Sequence, residues 1–395
     1  MSVVITGFGA CSPLGCSFGE CLETLRKGER RIADIEAFDC SEYEVKAAGE
    51  IREGGKYVPT PRNVDRKIHF FARALAELEE ATGFTYRYSP SERFLSIGGG
   101  VDYYDVESNL EGSPDKETIH EMLSGIRGIA DKYGIEAGCN VFSSACTASG
   151  HAIGQSFRLL KHGLAKMVVS GGADSMINPF SYLGFFRIGA MSTLNEPSPY
   201  ICRPCDLRAS GTVLGEAAVA ILLEDSARLA PDAKVYAEIL GYGSSMDAWS
   251  VTDPEPSGEA AAKAIEAALE EAGVRPEEID CVHLHGTGTP KCAPAEYNAL
   301  EKVFGERARE IPVYSMKGQV GHCIGASTAL EFIGVAYSFM NQEVLPTVNF
   351  ETPHPAAPMN VIKGEPLHIP VRHILKLNSA LGGHNTAFVL KKWER

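Results

Sequence analysis

The chain has 395 residues, of which 44% are hydrophobic and 22% are charged, and its 51 acidic and 37 basic side chains give a net charge of −14. This acidic balance argues against a nucleic-acid partner and against a basic helix lying on a membrane surface. The hydrophobic content excludes a disordered chain, and no apolar run reaches the length of a transmembrane helix. We therefore expect a globular protein with no nucleic-acid partner and no membrane partner, long enough for about two to three domain-sized units.

The elements predicted in the first half begin with residues 3–8, a short apolar and β-branched run ending in glycine, which is typical of a buried strand. Further strands are expected at 93–97, 140–143, 165–170 and 217–223, and helices at 17–27, 67–82 and 148–164. The long segment 179–206 is expected to be a functional loop.

The second half repeats this alternation of strands and helices. Strands are expected at 234–242, 280–284, 313–316 and 386–391, and helices at 259–272, 295–304 and 326–340. Because both halves show the same order, we predict an α/β fold with buried parallel strands and two similar lobes, joined near 225–234.

The eleven cysteines are scattered along the chain, and their odd number does not suit a disulfide framework. Cys202 and Cys205 form a single C-R-P-C pair, and nothing rich in cysteine or histidine follows it at the spacing of a zinc site. The first residues lack the basic start of a signal peptide. These features predict reduced thiols, a cytoplasmic location and no metal site.

Cys146 has surroundings that set it apart from the other cysteines. It lies between a predicted strand and a predicted helix, among the small residues Ala145, Ala148, Ser149 and Gly150. A helix N-terminus favours a thiolate, which is the nucleophilic form, and small neighbours leave room for a substrate. We therefore predict a nucleophile, with a buried inert cysteine as the alternative.

Two of the eleven histidines lie at the ends of predicted strands, in glycine-rich turns. These are His285 and His322, and in α/β folds such strand ends hold ligands. A role as helix caps is the alternative for both. The glycines at 98–100 lack the spacing of a dinucleotide-binding loop, so nucleotide binding has little support.

Taken together, these motifs resemble those of the elongating β-ketoacyl synthases, which condense acyl chains on an acyl carrier protein. The resemblance runs over nearly the whole chain. Its motifs are VVITGFGA at 3–10, SPLG at 12–15, ACTASG at 145–150, RPCD at 203–206, GEA at 215–217, HGTGTP at 285–290, KGQVGH at 317–322 and GGHN at 382–385. It implies the thiolase fold, a duplicated five-layer α-β-α-β-α arrangement, with one half at 1–230 and the other at 231–395.

The resemblance also implies a role for each site residue. Cys146 would accept the acyl group, and His285 and His322 would hold the malonyl thioester carbonyl through two N–H donors while carbon dioxide leaves. Lys317 and Glu331 match a pair that positions the histidine, with a structural ion pair as the alternative. Glu296 matches an acid expected to be structural.

The loop near the C-terminus departs from the family pattern and is one residue shorter. Leu381 takes the place of a gating phenylalanine, Ala380 replaces the preceding glycine, and Gly382 follows. Leu381 also belongs to the region expected to supply an oxyanion N–H besides that of Cys146. Since alanine resists conformations that glycine allows, we expect a stiffer gate and altered acyl selection.

The implied partner is an acyl carrier protein that delivers acyl chains on its phosphopantetheine, with no other cofactor. Carriers are acidic, so a local basic patch is required, and Arg62, Arg66 and Lys67 are the candidates. A homodimer or a ketosynthase heterodimer is expected.

Two other functions remain open at the level of sequence. One is a non-catalytic chain-length factor in a heterodimer, although such partners usually lose the cysteine. The other is thiolase-like or decarboxylase-only activity, although no cysteine lies beyond Cys323 to act as the second thiolase cysteine.

Overall fold

The first five strands of the main sheet come from the first half of the chain. The computed structural model describes residues 2–61, 64–100 and 122–394, with the backbone alone at 122–124. The strands are β1 (Val3–Cys11), β2 (Arg93–Gly99), β3 (Gly138–Phe142), β4 (Met167–Ser175) and β5 (Glu216–Asp225). Their spatial order is β3-β2-β4-β5-β1. β2 is parallel to β3 and β4, whereas β5 is antiparallel to β4 and β1.

The second half of the chain repeats this arrangement. Its strands are β6 (Ala237–Met246), β7 (Cys281–His283), β8 (Pro312–Tyr314), β9 (Asn360–Val361), β10 (His373–Ser379) and β11 (His384–Lys391). Apart from the short edge strand β9, the spatial order of these strands is β8-β7-β10-β11-β6. Neighbouring strands are parallel or antiparallel in the same pattern as in the first set. The two sets meet where β1 and β6 pair antiparallel. The repeated strand order therefore shows a structural duplication. The division of the chain into halves at residue 230 stays a prediction, because hydrogen bonds between β1 and β6 join the strands of both halves.

The longer helices pack on this sheet in layers. They are α1 (Phe18–Lys27), α2 (Arg66–Thr82), α3 (Met122–Lys132), α4 (Ala148–Lys161), α5 (Pro179–Arg187), α6 (Glu259–Ala272), α7 (Cys292–Phe304) and α8 (Ser327–Asn341). α2 covers β1, β4 and β5; α6 covers β6 and β11 and packs on α7; α4 and α8 contact each other and strands of both sets. The layers are thus helix, strands, paired helices, strands and helix, which confirms the predicted five-layer α/β architecture.

Besides several 3-10 turns, the described part of the chain contains shorter helices and strands. They are the four-residue helices Phe84–Arg87 and Lys317–Val320, and the two-residue strand pairs Ala33–Asp34 with Ala47–Ala48, Arg52–Glu53 with Lys56–Tyr57, and Glu343–Val344 with Leu367–His368.

Local sequence explains where the predicted helices begin and end. Ser17 caps α1 by accepting from the Glu20 N–H, and Asp65 caps α2 by accepting from the first-turn N–H groups. Gly28 ends α1 in the left-handed conformation that favours glycine. The helix α8 is buried over residues 327–339 because it lies in the middle layer, between the two sets of strands.

Two expectations need correction. The sheet is mixed rather than parallel, because β10 and β11 are joined by a short turn that only antiparallel strands permit. The sequence interpretation also missed β10, α3 and α5, the last of these inside the supposed loop 179–206. Within the described residues, no helix combines the length and the apolarity needed to cross a bilayer.

Candidate active site

Cys146 lies at the turn between β3 and α4, as the sequence predicts. A short 3-10 turn, Ala145–Thr147, carries it, and Ala145 has a φ of 48°, which is unusual for a residue with a side chain. A Cβ at Gly98 would lie 2.1 Å from the Ala148 carbonyl carbon, so glycine is needed for the start of α4 to approach β2. The turn thus holds the thiol against the sheet.

One cavity of about 480 Å³ brings the predicted site residues together. Its walls include Cys146, His285, His322, Ala380 and Leu381. The two imidazole rings lie edge to face, with their centroids 5.3 Å apart. The structure therefore places Cys146 and both histidines at one site, although they lie far apart in sequence.

The hydrogen bonds of His285 fix which of its nitrogens carries the proton. Its Nδ1 lies 3.3 Å from the Asn378 amide nitrogen and 3.4 Å from the Lys317 ammonium nitrogen. Both of these groups are donors only, so Nδ1 must accept. The proton is therefore on Nε2, which gives His285 an N–H donor for a ligand.

His322 is held differently and is less constrained. Its Nδ1 lies 2.9 Å from the Ser327 hydroxyl oxygen, which can donate or accept. Its Nε2 is buried and has no hydrogen-bond partner among the described residues. An unpartnered buried polar atom has a strong requirement for a partner, so this nitrogen is suited to a substrate group.

Both histidines are neutral over the physiological range. Burial lowers the pKa of His285 and of His322 well below the usual value, and the Lys317 ammonium lowers both further. Two neutral imidazoles can present N–H groups to an oxygen without themselves needing a counter-charge.

The expected thiolate form of Cys146 is not what the structure shows. Burial raises the pKa of the Cys146 thiol to about 11, and the Leu381 N–H and the Lys317 ammonium oppose that rise without cancelling it. The helix α4 also begins at Ala148, so Cys146 precedes its first turn. At neutral pH the group is a thiol that must lose its proton as it reacts.

The predicted pair of Lys317 and Glu331 forms in the interior, with their charged groups in direct contact. Lys317 also donates to the His285 carbonyl oxygen at 2.6 Å. Burial would raise the pKa of Glu331, but the ammonium groups of Lys317 and Lys376 outweigh it and lower that pKa. The sequence interpretation missed Lys376, because a lysine in an apolar run is typical of a surface strand.

Glu296 supports the loop that carries His285. Its carboxylate accepts the N–H groups of His285 at 2.6 Å and of Gly286 at 2.9 Å, and it receives the Cys292 thiol at 3.1 Å. These contacts match the structural role expected for Glu296.

The turn between β10 and β11 holds the predicted gate. The backbone N–H of Leu381 lowers the pKa of the Cys146 thiol, and Ala380 and Leu381 line the cavity. Gly382 is exposed and donates to the Val251 carbonyl oxygen at 2.8 Å. Gly382 and Gly383 take positive φ values, whereas Ala380 has ordinary backbone geometry and is unstrained.

The predicted basic patch for a carrier protein needs correction. Arg66 is 15% exposed, and its guanidinium donates two hydrogen bonds to the carboxylate of the buried Glu216. Lys67 is 6% exposed, and its ammonium nitrogen lies 3.6 Å from an Asp65 carboxylate oxygen. Arg66 compensates the buried Glu216 carboxylate from within, and burial leaves little of either basic side chain at the surface. Arg62 lies outside the described residues.

We expect Arg66→Met to destabilise the fold by about 3 kcal/mol, because it leaves Glu216 buried without its cation. The free energy of unfolding in urea measures this loss. Arg275→Met is the matched control, since Arg275 and Glu278 form an exposed pair whose loss has little effect. Unchanged stability together with weaker carrier binding would restore the surface role for Arg66.

Within the described ranges, no group of three His, Cys, Asp or Glu side chains has an arrangement that could hold a metal ion. All eleven cysteines are free thiols.

A duplicated five-layer fold, with a cysteine and two histidines meeting in one cavity, defines the thiolase-fold class. Two family models match the chain, "Beta-ketoacyl synthase, N-terminal domain" over residues 1–228 and "Beta-ketoacyl synthase, C-terminal domain" over 236–351. The chain belongs to the β-ketoacyl synthase family.

Curated relatives and solved structures agree with this placement. The chain is 30% identical to the 3-oxoacyl-[acyl-carrier-protein] synthase 2 of Synechocystis sp., over 99% of this chain and 98% of the relative. The synthase of the same name from Staphylococcus aureus is also 30% identical, with the same coverage.

Among solved structures, a type II polyketide ketosynthase in complex with its acyl-carrier protein is similar with a TM-score of 0.90, 25% identity and 99% coverage of both chains. A β-ketoacyl synthase of Burkholderia phymatum has a TM-score of 0.87 and 26% identity, with 100% of both chains covered. The ishigamide ketosynthase/chain length factor has the same TM-score and identity, covering 100% of this chain and 99% of that one.

Proposed function

We propose that this protein is a β-ketoacyl-[acyl-carrier-protein] synthase that works through Cys146. The observation that carries the proposal is the single cavity shared by the thiol, the two neutral imidazoles and the Leu381 N–H. A nucleophile beside donors for a developing oxyanion is the arrangement that acyl transfer requires.

In the first half-reaction, the Cys146 sulfur attacks the carbonyl carbon of an acyl thioester carried on phosphopantetheine. The carrier's sulfur leaves and takes up a proton, and the acyl group stays on Cys146. Because the Cys146 pKa is raised, its proton must move to a base as the S–C bond forms. His322 is suited to receive it in its Nδ1–H tautomer, in which the Ser327 hydroxyl accepts from Nδ1 and Nε2 has no other partner among the described residues. The imidazole then passes this proton to the leaving sulfur of the carrier.

In the second half-reaction, His285 and His322 donate N–H groups to the thioester oxygen of a malonyl unit. His322 does so in its Nε2–H tautomer, in which the Ser327 hydroxyl donates to Nδ1. The bond to the carboxylate breaks, carbon dioxide leaves, and its electron pair forms an enolate that the two donors stabilise. The enolate carbon attacks the acyl carbonyl on Cys146, and the N–H groups of Cys146 and Leu381 receive the second oxyanion. The C–S bond then breaks, and the Cys146 sulfur takes up one proton from solvent to recover its thiol, which balances the negative charge that the malonyl carboxylate brought.

The proposed setting follows from the same residues. The eleven free thiols fit a cytoplasmic location, and the carrier's phosphopantetheine is the prosthetic group that the reaction needs. For assembly we propose a dimer, with either a second copy or a ketosynthase-like partner. The dimer proposal is supported by β3, which is the strand at one edge of the sheet and whose residues are half-buried. Native mass spectrometry distinguishes the homodimer, the heterodimer and the monomer.

A non-catalytic chain-length factor is the second candidate, because a solved ketosynthase/chain length factor has this fold. The complete set of Cys146, His285 and His322 favours the enzyme.

We expect the purified protein incubated with an acyl-carrier protein to gain one acyl group on Cys146, because the sulfur lies in an accessible cavity beside oxyanion donors. Intact mass and peptide mapping measure the adduct. Malonyl-carrier protein should then release a β-ketoacyl product. A chain-length factor would give no adduct and would show activity only with a second ketosynthase added.

A further inference from the structure

Lys376 is a buried ammonium group that the proposed reaction does not yet use. It lies on β10 with no exposed side-chain surface, and its Nζ is 2.8 Å from Glu331 Oε2. It also donates to the carbonyl oxygens of Leu377 and, at 3.5 Å, Leu284. A buried charge is retained only where its partners compensate the loss of water, so this position is strongly constrained.

Glu331 links Lys376 to the active site. One of its carboxylate oxygens receives Lys317, and the other receives both Lys376 and the Asn378 amide, the latter at 2.8 Å. All three donors therefore depend on one orientation of this carboxylate. Removing the ammonium of Lys376 would leave Oε2 with the Asn378 amide as its remaining described donor.

The other two donors to Glu331, Lys317 and Asn378, also contact His285. The Asn378 amide nitrogen and the Lys317 ammonium nitrogen lie 3.3 and 3.4 Å from its Nδ1, and Lys317 also binds the His285 carbonyl oxygen. These contacts place the His285 proton on Nε2. The orientation of Glu331 is thus transmitted to the donor face of the imidazole.

We propose that Lys376 is a positioning residue, which holds the Glu331 carboxylate so that Lys317 and Asn378 keep His285 in its Nε2–H form. The consequence for turnover rests on the proposed function, but the effect on the imidazole does not. Lys376 acts through Glu331 and touches no substrate.

The charges around Lys376 give the proposal a dependence on pH. Burial lowers the pKa of Lys376 to about 8, although the Glu331 carboxylate opposes that change. Below this pH the ammonium form binds the Glu331 carboxylate, and above it the neutral amine binds that carboxylate more weakly. The charges that change the pKa of Lys376 are those of Glu331 on α8, Lys317 in the short helix after β8, and Glu296 on α7. Lys376 in turn lowers the pKa of His283 on β7 and of His285 just after it.

The test compares Lys376→Met with the wild type by two measurements. In ¹⁵N-histidine-labelled protein, two-bond ¹H–¹⁵N spectra should show His285 as the Nε2–H tautomer in the wild type and as a mixture in the variant. In malonyl-carrier decarboxylation, kcat at pH 7 should fall about tenfold with less than about a threefold change in KM. The wild type should also lose activity above pH 8, and the variant should lack this alkaline limb.

Two further variants keep the result interpretable. Arg87→Met removes a cation from another buried carboxylate, Glu224, which has no contact with His285, and it should leave the tautomer and the pH profile unchanged. Lys376→Gln retains a donor without the charge, so it should recover part of kcat but not the alkaline limb; it also serves if Lys376→Met does not fold. An unchanged His285 tautomer in the variants overturns the proposal. A wild type that has the expected tautomer but forms no acyl adduct overturns the proposed function alone.

Discussion

We expect Cys146→Ala to abolish the acyl adduct and to lower condensation by about 10³-fold or more, because the proposed covalent intermediate forms on this sulfur. The position of Cys146 in the fold means that this substitution removes the thiol without disturbing the surrounding structure. The thiol is held by the 3-10 turn before α4 and faces the Leu381 N–H, and alanine keeps the backbone of that turn. Single-turnover acyl transfer, followed by intact mass, measures the first half-reaction directly, and product formation from malonyl-carrier protein measures both.

Cys21→Ala is the matched control for this variant. Cys21 is also a fully buried thiol, but it lies on α1, outside the walls of the cavity. It should keep the adduct and the rate. An acyl adduct that persists in Cys146→Ala, on any other side chain, would contradict the assignment of the nucleophile.

We expect His285→Ala and His322→Ala each to lower malonyl decarboxylation by about 10²–10³-fold, because each removes one proposed N–H donor to the enolate oxygen. The two variants should differ in the first half-reaction. His322→Ala should also slow transfer of the acyl group to Cys146, since its Nε2 is the proposed proton acceptor, whereas His285 is fixed as a donor. Carbon dioxide release and adduct formation, measured separately, resolve the two steps.

His162→Ala is the control for general effects of losing an imidazole, because His162 is exposed at the end of α4. It should match the wild type in both steps. Equal effects of the two active-site variants on acyl transfer would contradict the division of roles between His285 and His322.

The chemistry of the site was predictable because its reacting groups stand at the ends of strands. Cys146 follows β3, His285 follows β7 and His322 follows β8, each in a turn of small residues. Strand ends of an α/β sheet converge, so motifs far apart in sequence predict a common site. Glu331 and Lys317 were also paired correctly.

The supporting groups were not predictable in the same way. Lys376 interrupts an apolar run, which made β10 itself hard to recognise, and its role depends on a carboxylate from α8 that only the folded chain brings within 2.8 Å. Ser327 is an unremarkable residue at the start of α8 until His322 lies beside it. Sequence motifs identify residues by local context, whereas hydrogen bonds between distant elements depend on how those elements pack.

The amino-acid sequence by itself predicted the duplicated α/β order and placed Cys146, His285 and His322 in turns of small residues after strands, because strand and helix periodicity and small-residue turns are local properties of the chain. The roles expected for these three residues came from the resemblance to the β-ketoacyl synthases. The tertiary structure decided the protonation states and the places of the charges. Burial outweighs the helix position in raising the pKa of Cys146, and it turns Arg66 from a surface cation into the internal partner of Glu216. Both outcomes depend on desolvation, which is set by everything packed around a group and not by its neighbours in sequence.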